Sequence, residues 1–280
     1  MALICLVSAS GSPGVTTTAL GLALTWGRPV VLVEADPTGG SAVMAGYLRG
    51  TATPPDSLID LALAHREDRL VAALAQARVA LPNSTATLVP GTRSHDQAGS
   101  LAALWEPLTL ALKGLERTGQ DVVVDAGRLG LAGSPTPLLF GADLTLLVVR
   151  SNLVALAGAR SWAQTLREHF DQLGSSSLGL LVIGEGDPYG AREISKVLRV
   201  PVLACVGWDP ATAAVLSRGA PIPNPTGFRA VLGRAGRRDP LQDSVLLRGI
   251  RAARSAAQDT VLANQVELAA PLDAGARSRR

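Results

Sequence analysis

The residues best suited to chemistry sit in Ser8-Ala-Ser-Gly-Ser-Pro-Gly-Val-Thr-Thr-Thr18, between an apolar run and a helix-period stretch. A glycine-rich turn leading from a strand into a helix N-terminus aims backbone N–H groups and a positive dipole end at an anion. The phosphate-binding pattern is Gly, four residues, then Gly-Lys-Ser/Thr. With its second glycine on Gly14, Ala9 falls at the first glycine, Val15 at the lysine and Thr16 at the hydroxyl that ligates magnesium. The expected cradle is Gly11, Ser12, Pro13, Gly14, Val15, Thr16 and Thr17, and it has lost its cation. Two carboxylates follow similar apolar runs: Asp36 in Glu34-Ala-Asp-Pro-Thr-Gly-Gly40, and Asp125 in Val122-Val-Val-Asp-Ala-Gly127. Thr16 and Asp125 are the candidate Mg²⁺ ligands should ATP bind. Arg128 and Arg150, each expected a few residues past a strand's C-terminal end, are candidate substitute cations because Arg can clamp phosphate bidentately. Each also reads as an ordinary rim residue.

Positioning these groups on one edge requires parallel strands joined by helices. Val/Leu-rich runs at 3–7, 30–33, 121–124, 144–149, 178–183 and 202–206 lack alternation, as strands buried on both faces do. Helical periodicity marks 16–26, 101–115, 153–173, 191–198 and 211–217, and residues 51–98 suggest short helices and an edge strand or two. The prediction is an α/β fold, a mostly parallel sheet with helices on both faces, whose ligands bind beyond the strands' C-terminal ends. We expect one domain over 1–264, helical and arginine-rich from about 226, and a loose tail at 265–280.

The chain has 280 residues, 47% of them hydrophobic and 18% charged, which excludes disorder for most of its length. No apolar run reaches the roughly 18–20 residues that span a bilayer, and the start lacks the features of a signal peptide, so a cytoplasmic location is expected. Cys5 and Cys205 lie in apolar runs and read as buried thiols. His65, His95 and His169 are scattered without metal-ligand spacing. No Gly-x-Ser-x-Gly elbow or Gly-x-Gly-x-x-Gly loop supports a hydrolase or a dinucleotide oxidoreductase. Trp26, Trp105, Trp162 and Trp208 read as packing residues on or beside helices. Residues 1–140 carry 9 basic and 11 acidic side chains, residues 141–280 carry 17 and 12. Arg218, Arg229, Arg234, Arg237, Arg238, Arg248, Arg251 and Arg254 face only Asp239 and Asp243 in their segment. Such an excess suits nonspecific DNA, or equally a solvated helix face.

Taken together, the loop Ser10-Gly-Ser-Pro-Gly-Val-Thr-Thr17, the Glu34–Gly40 segment and Asp125 resemble the ParA/MinD family of deviant-Walker P-loop ATPases. Trp208-Asp-Pro followed by Leu216-Ser-Arg-Gly-Ala-Pro is most similar to that family's CpaE/TadZ branch, whose members position pili or septum machinery. The resemblance covers roughly residues 1–255. It implies ATP and Mg²⁺ as cofactors, an ATP-sandwich homodimer, a protein partner, and Asp36 as the water-orienting carboxylate; a strand-end cap before Pro37 is the other reading of Asp36. Two departures cut against hydrolysis. The family's signature lysine is replaced by Ser10 and its phosphate lysine by Val15. Where the family often has an adenine-reading Asn, this chain has Gly184-Glu-Gly-Asp-Pro-Tyr. The expected function is a non-hydrolysing or weakly active spatial organiser or adaptor in partitioning, septum or pilus positioning. The alternatives are a slow Mg-ATP-dependent ATPase using an arginine, or a DNA-surface binder through 218–254.

Overall fold

The computed structural model describes residues 2–52, 57–174, 177–222 and 241–269. Eight strands form one sheet: β1 (Leu3–Ser8), β2 (Val30–Glu34), β3 (Val79–Ala80), β4 (Ala86–Val89), β5 (Asp121–Arg128), β6 (Leu144–Arg150), β7 (Leu178–Ile183) and β8 (Val202–Val206). Their order is β3-β4-β2-β5-β1-β6-β7-β8. Every neighbour pair is parallel except β3 with β4, an antiparallel edge.

The helices are α1 (Val15–Leu24), α2 (Leu58–Arg66), α3 (Leu70–Gln76), α4 (Trp105–Lys113), α5 (Thr136–Gly141), α6 (Leu153–Gln172), α7 (Ala191–Leu198), α8 (Pro210–Arg218) and α9 (Val245–Ala269). A single π-helical turn, Val43–Tyr47, and two 3₁₀ segments, His95–Leu101 and Gly114–Thr118, complete the described elements. The helix expected over 101–115 is therefore divided, its ends taken by 3₁₀ turns on either side of α4. The last helix runs to Ala269, past the boundary expected at residue 264.

Alternation along each strand feeds two cores. Leu3, Cys5, Val7, Val122 and Val124 face α4, α5 and α6, while Ile4, Leu6, Leu32, Val123 and Leu146 face α1 and α9. All six residues of β1 are buried, which explains its unbroken apolar sequence. Full burial of each Val, Leu or Ile is worth about 1.5–3 kcal/mol. Two of the four tryptophans are fully buried anchors. Trp26 donates its indole N–H to Asp121 at 2.6 Å, and Trp105 donates to the Gly133 carbonyl at 3.1 Å. Cys5 is buried and Cys205 half-buried, both as free thiols.

Candidate functional site

The loop after β1 and the ends of β2 and β5 open on the same edge of the sheet. Gly11, Ser12 and Gly14 all have positive φ, +75°, +44° and +106°. Gly14 serves as the N-cap of α1, and the first bond of the helix runs from the Thr18 N–H to the Gly14 carbonyl at 2.9 Å. Among the described residues no acceptor takes the N–H groups of Gly11, Ser12 or Gly14. Those of Val15, Thr16 and Thr17 are the unpaired donors of a first helical turn. The backbone thus retains a cradle of donors suited to phosphate oxygens.

At the two positions where the resemblance leads one to expect lysine stand Val15 and Ser10. Val15 is only 6% exposed and packs into the core shared by α1 and α9. Ser10 is turned onto its own chain, where a methyl group at Gly158 of α6 would overlap its hydroxyl. Both lysine positions are therefore absorbed into packing.

Carboxylates dominate the rest. Glu34 and Asp125 are register partners on β2 and β5, and the Ala35 N–H donates to the Asp125 carbonyl at 2.8 Å. Asp125 was expected to leave its strand, but β5 continues to Arg128, so the carboxylate sits inside the strand and is 2% exposed. The Thr16 hydroxyl and the Gly127 N–H (3.1 Å) hydrogen-bond to it. Burial still pushes its pKa up to about 7, and the charges of Glu34 and Asp36 add to the rise. Glu34, 4% exposed, accepts from the Ser41 hydroxyl and from the N–H groups of Val43 at 3.0 Å and Gly91 at 3.4 Å. Burial raises its pKa as well, while these bonds lower it. Asp36 closes a tight turn by accepting the Thr38 N–H at 2.9 Å, and it lies so close to Gly127 that a methyl there would overlap it. A cleft of about 320 Å³ joins Thr16, Glu34, Asp36, Gly40, Ser41 and Asp125.

Sequence reasoning placed Asp36, Asp125 and the loop together, and the geometry brings them together. It gave no role to Glu34, which pins the start of the π-helical turn. The available signal was a lone acid ending a run of valines.

The two candidate arginines stand otherwise than expected. Each is the last residue of its strand, Arg128 on β5 and Arg150 on β6, rather than a few residues beyond it. Arg128 is exposed. Arg150 stacks over the Trp208 ring, 3.7 Å from its centroid, reaching across the end of β7. Trp208 is 52% exposed, so it is a surface platform and not the packing residue expected.

Of the basic segment, Arg229, Arg234, Arg237 and Arg238 lie outside the described residues. Arg218 ends α8, and Arg248 lies on the first turns of α9. Arg251 binds the carbonyl and side chain of Gln242, and Arg254 binds the Thr25 carbonyl. Among the described residues no group of three or more His, Cys, Asp or Glu is placed to hold a metal ion, and no helix is long and apolar enough to cross a membrane.

A parallel sheet with this strand order, a glycine-rich turn into α1 and carboxylates on the same edge define the P-loop nucleotide-binding fold, in its ParA/MinD form. Comparison with solved structures bears this out. The cell division ATPase MinD of Pyrococcus furiosus superposes with a TM-score of 0.66 at 21% identity, over 92% of this chain and 99% of that one. A ParA family ATPase from Chlorobium tepidum gives 0.64 at 17% identity, over 92% and 97%. The septum site-determining protein MinD of Pyrococcus horikoshii, complexed with Mg-ADP, gives 0.63 at 19% identity, over 96% and 98%. No protein-family model and no curated protein sequence matches the chain.

Proposed function

We propose that this chain is a ParA/MinD-type protein whose nucleotide site has lost most of its hydrolytic competence, and that it acts as a positioning adaptor through protein partners. The observation that carries this reading is the buried Val15 beside three carboxylates, with no cation among the described residues facing the cleft. In P-loop enzymes the lysine neutralises charge on the transferring phosphoryl group. Loss of one such preorganised group costs about 3–4 kcal/mol, or two to three orders of magnitude in rate.

The oxygen donors present still suit magnesium, which is usually held by one or two carboxylates together with substrate phosphates. Thr16 and Asp125 would hold the ion, which would supply the charge neutralisation that Val15 cannot. The N–H groups of Gly11, Ser12 and Gly14 would orient the phosphates, and Asp36 would face any water admitted beside Gly127. Among the described residues no cation lines the cleft; Arg128 ends β5 exposed, and Arg150 stacks on Trp208. A partner would meet the exposed Leu153 and Val154 that open α6 and the neighbouring Arg150–Trp208 pair. Aromatic and arginine side chains of this kind anchor many interfaces. The Trp208-Asp209-Pro210 turn supports placing the chain near the CpaE/TadZ branch.

Turnover measurements on the wild type and on Val15→Lys test the reading. The wild type should hydrolyse ATP at or near background, and the lysine should raise the rate by about two orders of magnitude if the cradle is otherwise intact. Wild-type turnover that Val15→Lys leaves unchanged and Arg150→Ala abolishes would establish the slow arginine-assisted ATPase instead.

A further inference from the structure

The edge of the sheet opposite the phosphate loop carries a second cleft, of about 460 Å³, where the start of β1 and the end of α1 meet the second half of α9. Trp26, Val261 and Leu262 give it apolar walls, and Arg28, Arg254 and Asp259 supply charge. Arg28 gives its Nε–H to Asp121, a buried carboxylate that also accepts from the Ala2 N–H at 2.7 Å and the Trp26 indole at 2.6 Å. The terminal nitrogens of Arg28 have no acceptor among the described residues. Arg254 gives one terminal nitrogen to the Thr25 carbonyl, while its buried Nε–H has no acceptor among the described residues. That Nε–H is enclosed by protein atoms, so a ligand in the cleft would meet the terminal nitrogens of the two arginines.

We propose that this cleft binds a small organic oxyanion, a carboxylate or a phosphate ester, received between Arg28 and Arg254. The carrier's carbon skeleton lies against Leu262, the exposed apolar side chain of the wall. Guanidinium groups suit both oxyanions because their planar donor fork matches paired oxygens. Two features set the carrier's remaining chemistry. Asp259 is exposed on the same wall, and the carbonyl end of α1 approaches from below with Arg254 capping it. Both disfavour a bare dianion and favour a ligand that carries a hydroxyl donor beside its anionic group.

Calorimetric titration of the full chain with 3-hydroxybutyrate in one arm and glycerol 3-phosphate in the other tests this. The expected result is saturable binding of at least one of them, weakened tenfold or more by Arg254→Gln and by Leu262→Trp, and unchanged by Thr16→Ala. Leu262 is 61% exposed, so its replacement by Trp fills the cleft without disturbing the core and serves even if Arg254→Gln fails to fold. Absence of saturable binding in both arms would overturn the proposal. So would binding that Thr16→Ala abolishes and Leu262→Trp leaves intact, since that anion would occupy the phosphate loop.

Discussion

Asp125 carries electrostatic strain at the candidate site, because its carboxyl is fully enclosed and faces Glu34 and Asp36 with Thr16 and Gly127 as its donors among the described residues. Its folded-state pKa, about 7, lies above the ordinary 3.8, so the folded protein holds this proton more tightly than the unfolded chain does. Stability is therefore lost as pH rises from about 4 to about 7, and the full penalty stands above that window. Asp125→Asn should raise the melting temperature at pH 8 by roughly 5 °C, with the gain shrinking toward pH 5, where the native carboxyl is already protonated. Equal gains at both pH values would show that ionisation is not the cause. A second residue-scale effect concerns Arg150. Arg150→Ala should cost about 0.5–1 kcal/mol, the worth of an exposed cation–π contact, and shift Trp208 fluorescence, with no change in ATP turnover. Asp125 was readable in sequence because an acid ends a run of valines. The Arg150–Trp208 pair was not, since the partners lie on β6 and past β8, and only the strand order brings them together.

Among elements, the glycine-rich loop leaves β1 where that strand is paired between β5 and β6, and the π-helical turn that Glu34 anchors lines the same cleft. That turn packs on α8 through Gly46, where an added methyl would overlap the Ser217 carbonyl. Backbone cannot yield as a flexible side chain does, so Gly46→Ala should destabilise the protein by about 1–3 kcal/mol, measurable by denaturant unfolding. Unchanged stability would show that α8 moves freely against this turn. The six main strands and α1, α6, α7 and α8 were legible to within a few residues because continuous apolar runs and helical periodicity leave little choice. The π-helical turn and the 3₁₀ segments were not. Their boundaries are fixed by tertiary bonds such as Val43 N–H to Glu34, which no local pattern encodes.

At the scale of the whole molecule, the fold places Val15 in a core and Ser10 against α6, at the two positions where the family resemblance leads one to expect lysine. The overall balance of 26 basic to 23 acidic residues does not show this. Among the described residues no Lys or Arg lines the cleft, although Arg128 pairs with Ser8 at the start of the loop. Backbone donors and the Thr16–Asp125 pair could still receive a Mg-nucleotide, but the three carboxylates oppose its phosphates unless the ion neutralises them. The fold was legible from the chain alone; the occupancy of the site was not, because it depends on how far burial raises Asp125 and Glu34 and on where Arg150 points. Equilibrium titration of the purified chain with labelled ATP in magnesium tests the central claim most directly. Binding should be weak or absent, with a dissociation constant no tighter than about 1 mM, equivalent to about −4 kcal/mol. Micromolar Mg-ATP binding accompanied by steady turnover would contradict it.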